Sequence, residues 1–270
     1  MLIRPGRSSG NLIDRRGSGG GGRRGGIGIG IGGLLVLLIG SFFGLDLRGL
    51  VGGGGGASVA VDPNEQPVTD PQDSGAQFVD AVLVETEEVW GRLYREAGEA
   101  YPEPNLVLYT DGTQTGCGFG QAAAGPFYCP ADRTVYIDLS FFRQLERMGA
   151  QGEFAVAYVI AHEVGHHIQN VEGLLRNTRS NAMSVQTELQ ADCLAGIWTH
   201  HAADSAGRVE LTEQDIRSGI SAAAAVGDDA IQRSAGQRVR PESFTHGSSQ
   251  QRVDAFTGGY RSGDYRVCFG

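Results

Sequence analysis

The sequence predicts an α+β domain, mostly helical with a small β-sheet, preceded by one transmembrane helix and a flexible linker. Three observations predict it. Residues 25–45 run without a charge behind an arginine-rich start, and residues 46–74 are rich in glycine and proline. Beyond them, short runs of β-branched and aromatic residues give way to longer segments with apolar residues at helical spacing.

The start of the chain carries Arg4, Arg7, Arg15, Arg16, Arg23 and Arg24 against Asp14, a local charge of +5 over residues 1–24. The next 21 residues are uncharged, and about 20 apolar residues span the hydrocarbon core of a bilayer. Arginine before such a segment and its near absence after it predict a basic cytoplasmic tail, 1–24, and a transmembrane helix, 25–45. The body of the protein is then extracytoplasmic, and the expected location is the cell membrane in a single pass. A cleaved signal peptide is the competing reading, since Ser58-Val59-Ala60 resembles a cleavage site. That site lies far beyond the apolar stretch, which favours the anchor.

The linker, 46–74, contains a run of five glycines followed by Pro63, Pro67 and Pro71 among polar residues, too little apolar area to fold alone. The folded domain is expected over 75–270. Phe78, Val82, Val89 and Leu93 predict a helix over 76–97, which Pro102 and Pro104 follow. Residues 106–109 and 135–138 read as strands, and helices are expected over 140–149, 152–170, 181–205 and 212–233.

The overall charge of −9 leaves −14 on the residues after Arg24, so the body lacks the basic surface that phosphate backbones require. Nucleic acid is therefore excluded as a general partner. The oligomeric state is not legible.

Chemistry enters at His162-Glu163-Val164-Gly165-His166, inside a strongly apolar helical segment. Residues i and i+4 project from one helix face, so both imidazoles can aim at one ion. Glu163 follows the first of them and can reach a water beside that ion, which makes it the candidate general base. A catalytic zinc site takes three protein ligands, and the third is expected from the next helix. There Glu188 is preferred over Asp192, Glu172 or a distant histidine, and Asp192, one turn on, is expected to orient a ligand histidine. His246, in a turn-rich segment, is a candidate hydrogen-bond donor to an oxyanion, ahead of Tyr158 and Tyr136. His167 points away from the ligand face and reads as a packing residue.

Four cysteines follow the apolar segment, an even number that suits disulfides. Of three possible connectivities, Cys117 with Cys129 and Cys193 with Cys268 is preferred. The absence of a close CxxC pair argues against a thiolate metal site.

At this point the chain resembles the neutral zinc metallopeptidases of bacteria, with a gluzincin-type HExxH and a downstream glutamate. The resemblance rests on HEVGHHIQN (162–170), ELQADCLAGIW (188–198), GPFYCPADRTVYIDLSFF (125–142) and THGSSQQR (245–252). It implies a zincin-like domain, one Zn2+ at His162, His166 and Glu188, and a catalytic Glu163; it implies little about the substrate beyond the peptide or protein that peptide-bond hydrolysis requires. The rival reading is a non-catalytic extracytoplasmic binding or scaffold domain that contains zinc. Glu163 separates the two, because only hydrolysis needs a base beside the water.

Overall fold

The computed structural model of the chain describes residues 1–4, 6–16, 73–175, 180–203 and 208–269. In chain order its principal elements are β1 (Leu2–Ile3), β2 (Leu12–Asp14), α1 (Ser74–Glu96), β3 (Asn105–Tyr109), β4 (Gly112–Thr115) and β5 (Gly118–Gln121). Then come β6 (Phe127–Cys129), β7 (Thr134–Asp138), α2 (Ser140–Arg147), α3 (Glu153–Val171) and α4 (Asn181–Ala203). The last are β8 (Val209–Glu210), α5 (Glu213–Ala225), α6 (Asp228–Ser234) and α7 (Ser249–Ser262).

Side-chain alternation explains the sheet. Leu106, Leu108, Val135 and Ile137 join the main core with α1 and α3, while Val107, Tyr109 and Tyr136 join a second cluster on the opposite face. The strand order is β2-β3-β7-β6, with β2, β3 and β7 parallel and β6 antiparallel at one edge. Helix α3 is fully buried through most of its length, from Phe154 and Ala155 to Ile168. Its apolar sequence thus serves as the centre of the core.

The architecture is α+β with a small sheet, as the periodicities predict, but the membrane part of that prediction is corrected. Among the described residues no helix is long and apolar enough to cross a membrane. The segment 25–45 and the linker up to residue 72 lie outside the described residues. The expected cytoplasmic tail is overturned by strand pairing: Leu12, Ile13 and Asp14 pair in register with Leu106, Val107 and Leu108, and β1 pairs with β8. Strands that share backbone hydrogen bonds lie on the same side of any bilayer. A single-pass topology with residues 1–16 inside and the body outside is therefore not supported, and neither is the membrane location drawn from it.

The same N-terminal segment is clipped to α1. The buried carboxylate of Glu87 accepts from Ser9 Oγ at 2.5 Å, Asn11 Nδ2 at 2.8 Å and Arg7 Nη2 at 2.8 Å. Asp73 caps α1 by accepting from the Ala76 amide, and its other oxygen accepts from Arg16 at 2.6 Å. Arg4, Arg7 and Arg16, part of what read as a topology signal, are thus partners of acidic groups in the fold. Charge composition alone does not distinguish the two uses.

The helix expected over 212–233 is two helices, because the chain turns at Gly227. A Cβ there would run into the backbone of Ser249 at the start of α7. Helices α4 and α7 cross backbone to backbone, since a Cβ on Gly259 would overlap the carbonyl of Cys193. Two disulfides close loops that were read from the cysteine count: Cys117–Cys129 ties the β4–β5 turn to β6, and Cys193–Cys268 ties α4 to the C-terminal turn.

Candidate metal centre

Helix α3 presents His162 and His166 on one face, and α4, packed against it, brings Glu188 to them. His162 Nε2 lies 3.2 Å from Glu188 Oε2, and His166 Nε2 lies 3.5 Å from Glu188 Oε1. An ion about 2.0–2.1 Å from each donor in tetrahedral array sets neighbouring donors about 3.3–3.4 Å apart. The carboxylate therefore stands at a ligand's spacing from each imidazole. Ligand atoms of all three residues lie within 4.8 Å of one another. Two imidazoles and one carboxylate are also the donor chemistry that zinc favours, so the residues present fit that metal.

The tautomer of His162 follows from its other neighbour. Asp192, fully buried, accepts from His162 Nδ1 at 2.8 Å, so Nδ1 carries a proton and Nε2 is the ring nitrogen turned to Glu188. Asp192 Oδ1 also accepts from the Tyr158 hydroxyl. Arg252, itself 3% exposed, donates to both oxygens of Asp192. His166 Nδ1 meets Gln169 Oε1 at 2.8 Å.

Burial alone would depress both histidines. Asp192 and Glu188 outweigh it at His162 and push its pKa up to about 10, and Glu188 likewise raises His166. Burial would raise Glu188, but the two imidazoles hold it well below the usual carboxylate range. Asp192 is also lowered, with Arg252 and His162 overcoming its burial. The two carboxylates are thus held ionised beside the imidazoles.

A cleft of about 600 Å³ opens over this cluster. Glu163, 7% exposed, lines it together with His246 and the three ligand candidates. Its remaining walls are largely apolar: Phe127 on β6, Phe141 and Met148 at α2, Val159 on α3, and Val226 and Ile231 around α6. His246 reaches the cleft through Asp228 at the start of α6. Asp228 Oδ2 accepts the backbone amides of Thr245, His246 and Gly247 at 2.8, 2.7 and 3.0 Å. Its Oδ1 lies 3.3 Å from His246 Nδ1. Burial would raise Asp228, yet His246 and the loop amides hold it below its ordinary value.

His162, Glu163, His166, Glu188, Asp192 and His246 are therefore brought to one place. Tyr158 is engaged with Asp192, whereas Tyr136 donates to Asp132 on the far face of the sheet. Glu172 accepts from Tyr94 instead of facing the cluster. His167 is buried between Tyr128 and the Pro102 carbonyl, and burial lowers its pKa to about 4. Sequence reasoning missed Arg252, Asp228, Gln169 and Gln190. Gln169 carried a local signal, one turn beyond His166. Gln190 lies between Glu188 and Asp192 on α4 but off the face they share, and Asp228 and Arg252 lie on other elements, where no spacing rule reaches them.

A model of the family described as "Putative neutral zinc metallopeptidase" matches residues 1–269, so β1 and β2 fall within the matched region. The chain is 43% identical over 280 residues to Uncharacterized protein YpfJ of Escherichia coli (strain K12), covering 97% of this chain and 96% of that protein. It is 41% identical over 206 residues to Uncharacterized protein Rv2575 of Mycobacterium tuberculosis (strain ATCC 25618 / H37Rv), covering 71% and 70%. No solved structure matches.

Proposed function

The chain belongs to the neutral zinc metallopeptidase family, and from that premise we propose that it hydrolyses peptide bonds with Glu163 as general base and one zinc ion at His162, His166 and Glu188. The observation that carries the reading is the spacing of Glu188 from both imidazoles, with Glu163 in the same cleft. When bound there, zinc supplies a Lewis acid that polarises a carbonyl and acidifies water.

The chain's own residues divide the remaining work. Glu163 takes the proton of the attacking water and returns it to the departing amine. His246, oriented by Asp228, donates a hydrogen bond to the scissile carbonyl oxygen as negative charge develops on it. Asp192 and Arg252 hold His162 in one tautomer and one orientation. The apolar walls favour a peptide whose side chain beside the scissile bond is large and uncharged, because a charged one would be desolvated without a partner.

Zinc content and cleavage of an unbiased peptide mixture test this reading in the full chain. We expect one zinc per chain in both wild type and Glu163→Gln, with cleavage confined to wild type. Sub-stoichiometric zinc overturns the metal assignment. Cleavage by both overturns Glu163 as the base, and bound zinc without cleavage by either returns the domain to a non-catalytic zinc-containing role.

A further inference from the structure

Gln169 sits on α3 one turn beyond His166 and is 1% exposed. Its amide group can face in either of two ways, and two backbone carbonyls decide which. Gln169 Nε2 lies 2.8 Å from the Thr187 carbonyl oxygen, which can only accept a hydrogen bond. The nitrogen of Gln169 must therefore point toward α4, and its Oε1 must point toward His166. That oxygen is 2.8 Å from His166 Nδ1, so Nδ1 carries the donated proton and Nε2 is the atom left to face Glu188.

Gln169 Nε2 also donates to Gln190 Oε1 at 2.7 Å, and the orientation of Gln190 is settled in the same manner. Its own Nε2 lies 3.0 Å from the carbonyl oxygen of Cys268, again a pure acceptor. Cys268 is joined by its disulfide to Cys193 on α4, three residues beyond Gln190. The chain of donors thus runs from His166 through Gln169 and Gln190 to a carbonyl that is covalently fixed to the helix bearing Glu188.

We infer that Gln169 and Gln190 are positioning residues, which hold His166 with Nδ1 protonated and Nε2 turned to the metal position, by orders read from the Thr187 and Cys268 carbonyls. Neither glutamine touches the ion. Asp192 performs the corresponding service for His162 with a charge, whereas His166 relies on a neutral relay, in which each amide both accepts and donates. Thr187 directly precedes Glu188, so one side chain aligns a ligand on α3 with the turn of α4 that supplies another.

The inference rests on the proposed zinc reading for the identity of the ion, but its geometry is testable without any metal. In the zinc-free full chain, the His166 Nδ1 proton should exchange slowly with solvent in 15N-histidine NMR spectra. Gln169→Leu should accelerate that exchange at least tenfold. Gln169→Glu, which keeps the acceptor, should leave it slow. Gln190→Leu should accelerate it by an intermediate factor.

Zinc affinity, measured by competition with a fluorescent chelator, should follow the same order. Loss of an outer hydrogen-bond partner typically weakens metal binding by about 10–100-fold, and that is the range expected for Gln169→Leu. Exchange in Gln169→Leu equal to wild type, or equally fast exchange in Gln169→Leu and Gln169→Glu, overturns the positioning role. If wild type binds no zinc while its exchange pattern holds, the metal reading fails and the relay stands.

Discussion

Arg252 holds Asp192 at both carboxylate oxygens, with Nε 2.8 Å from Oδ2 and Nη2 2.9 Å from Oδ1, and both side chains are buried. The pair sits directly behind His162. Truncating one member of a buried ion pair leaves the other charged and unsolvated, which typically costs about 3–5 kcal/mol. Arg252→Met should therefore lower stability by about that amount in denaturant titration. Arg252→Lys should not restore it, because an ammonium cannot reproduce the two-pronged geometry. Full recovery with lysine would show that charge alone matters at this position.

His246 should affect turnover without affecting the metal. If it stabilises developing negative charge, His246→Ala should reduce kcat by about 10²–10³-fold while zinc content stays at the wild-type level. Asp228→Asn should give a smaller loss, since it disturbs the amides of Thr245, His246 and Gly247 that fix the loop. The measurement is kcat and KM on the best substrate found in the peptide digest. An unchanged kcat in His246→Ala would remove the histidine from the reaction.

The N-terminal strand should be needed for stability. Leu12 is 1% exposed and packs into the main core beside Leu106. Leu12→Ala should cost about 2–5 kcal/mol, the usual range for opening a cavity of this kind. Deletion of residues 1–16 should cost more, because it also strips Glu87 of Ser9, Asn11 and Arg7. Chemical denaturation reads both, and a midpoint unmoved by Leu12→Ala would remove β2 from the sheet.

Metal removal should be visible as a loss of heat resistance. A ligand at 100 times its dissociation constant adds about 2.7 kcal/mol to stability, so free zinc at that excess should raise Tm by several degrees over chelated protein. His166→Ala should abolish most of that difference. A zinc-dependent shift that survives in His166→Ala would place the ion elsewhere.

The sequence-based boundaries of α1 to α4 come within about two residues of those in the structure, while four short pairings, β1 with β8, β2 with β3, β4 with β5 and β6 with β7, went unread. Helical periodicity repeats over many residues and accumulates evidence. A strand of two to four residues shows too few alternations to do so. The arginines at the start of the chain misled because composition reports what a segment is made of and not what it pairs with. Arg7 and Arg16 have carboxylate partners far along the chain, at Glu87 and Asp73.

By itself the sequence determined what one or two turns of helix can determine. His162 and His166 share a face of α3, Glu163 stands beside them, and Glu188 and Asp192 share a face of α4, because 3.6 residues per turn sets those relations before any packing occurs. Only the tertiary structure decided that the two faces meet, that Arg252 backs Asp192, that Asp228 aims His246 into the cleft, and that residues 12–14 complete the sheet. Those partners are separated by 18 to 94 positions along the chain. What joins them is the burial of α3 against its neighbours, a property of the whole core that no local spacing records.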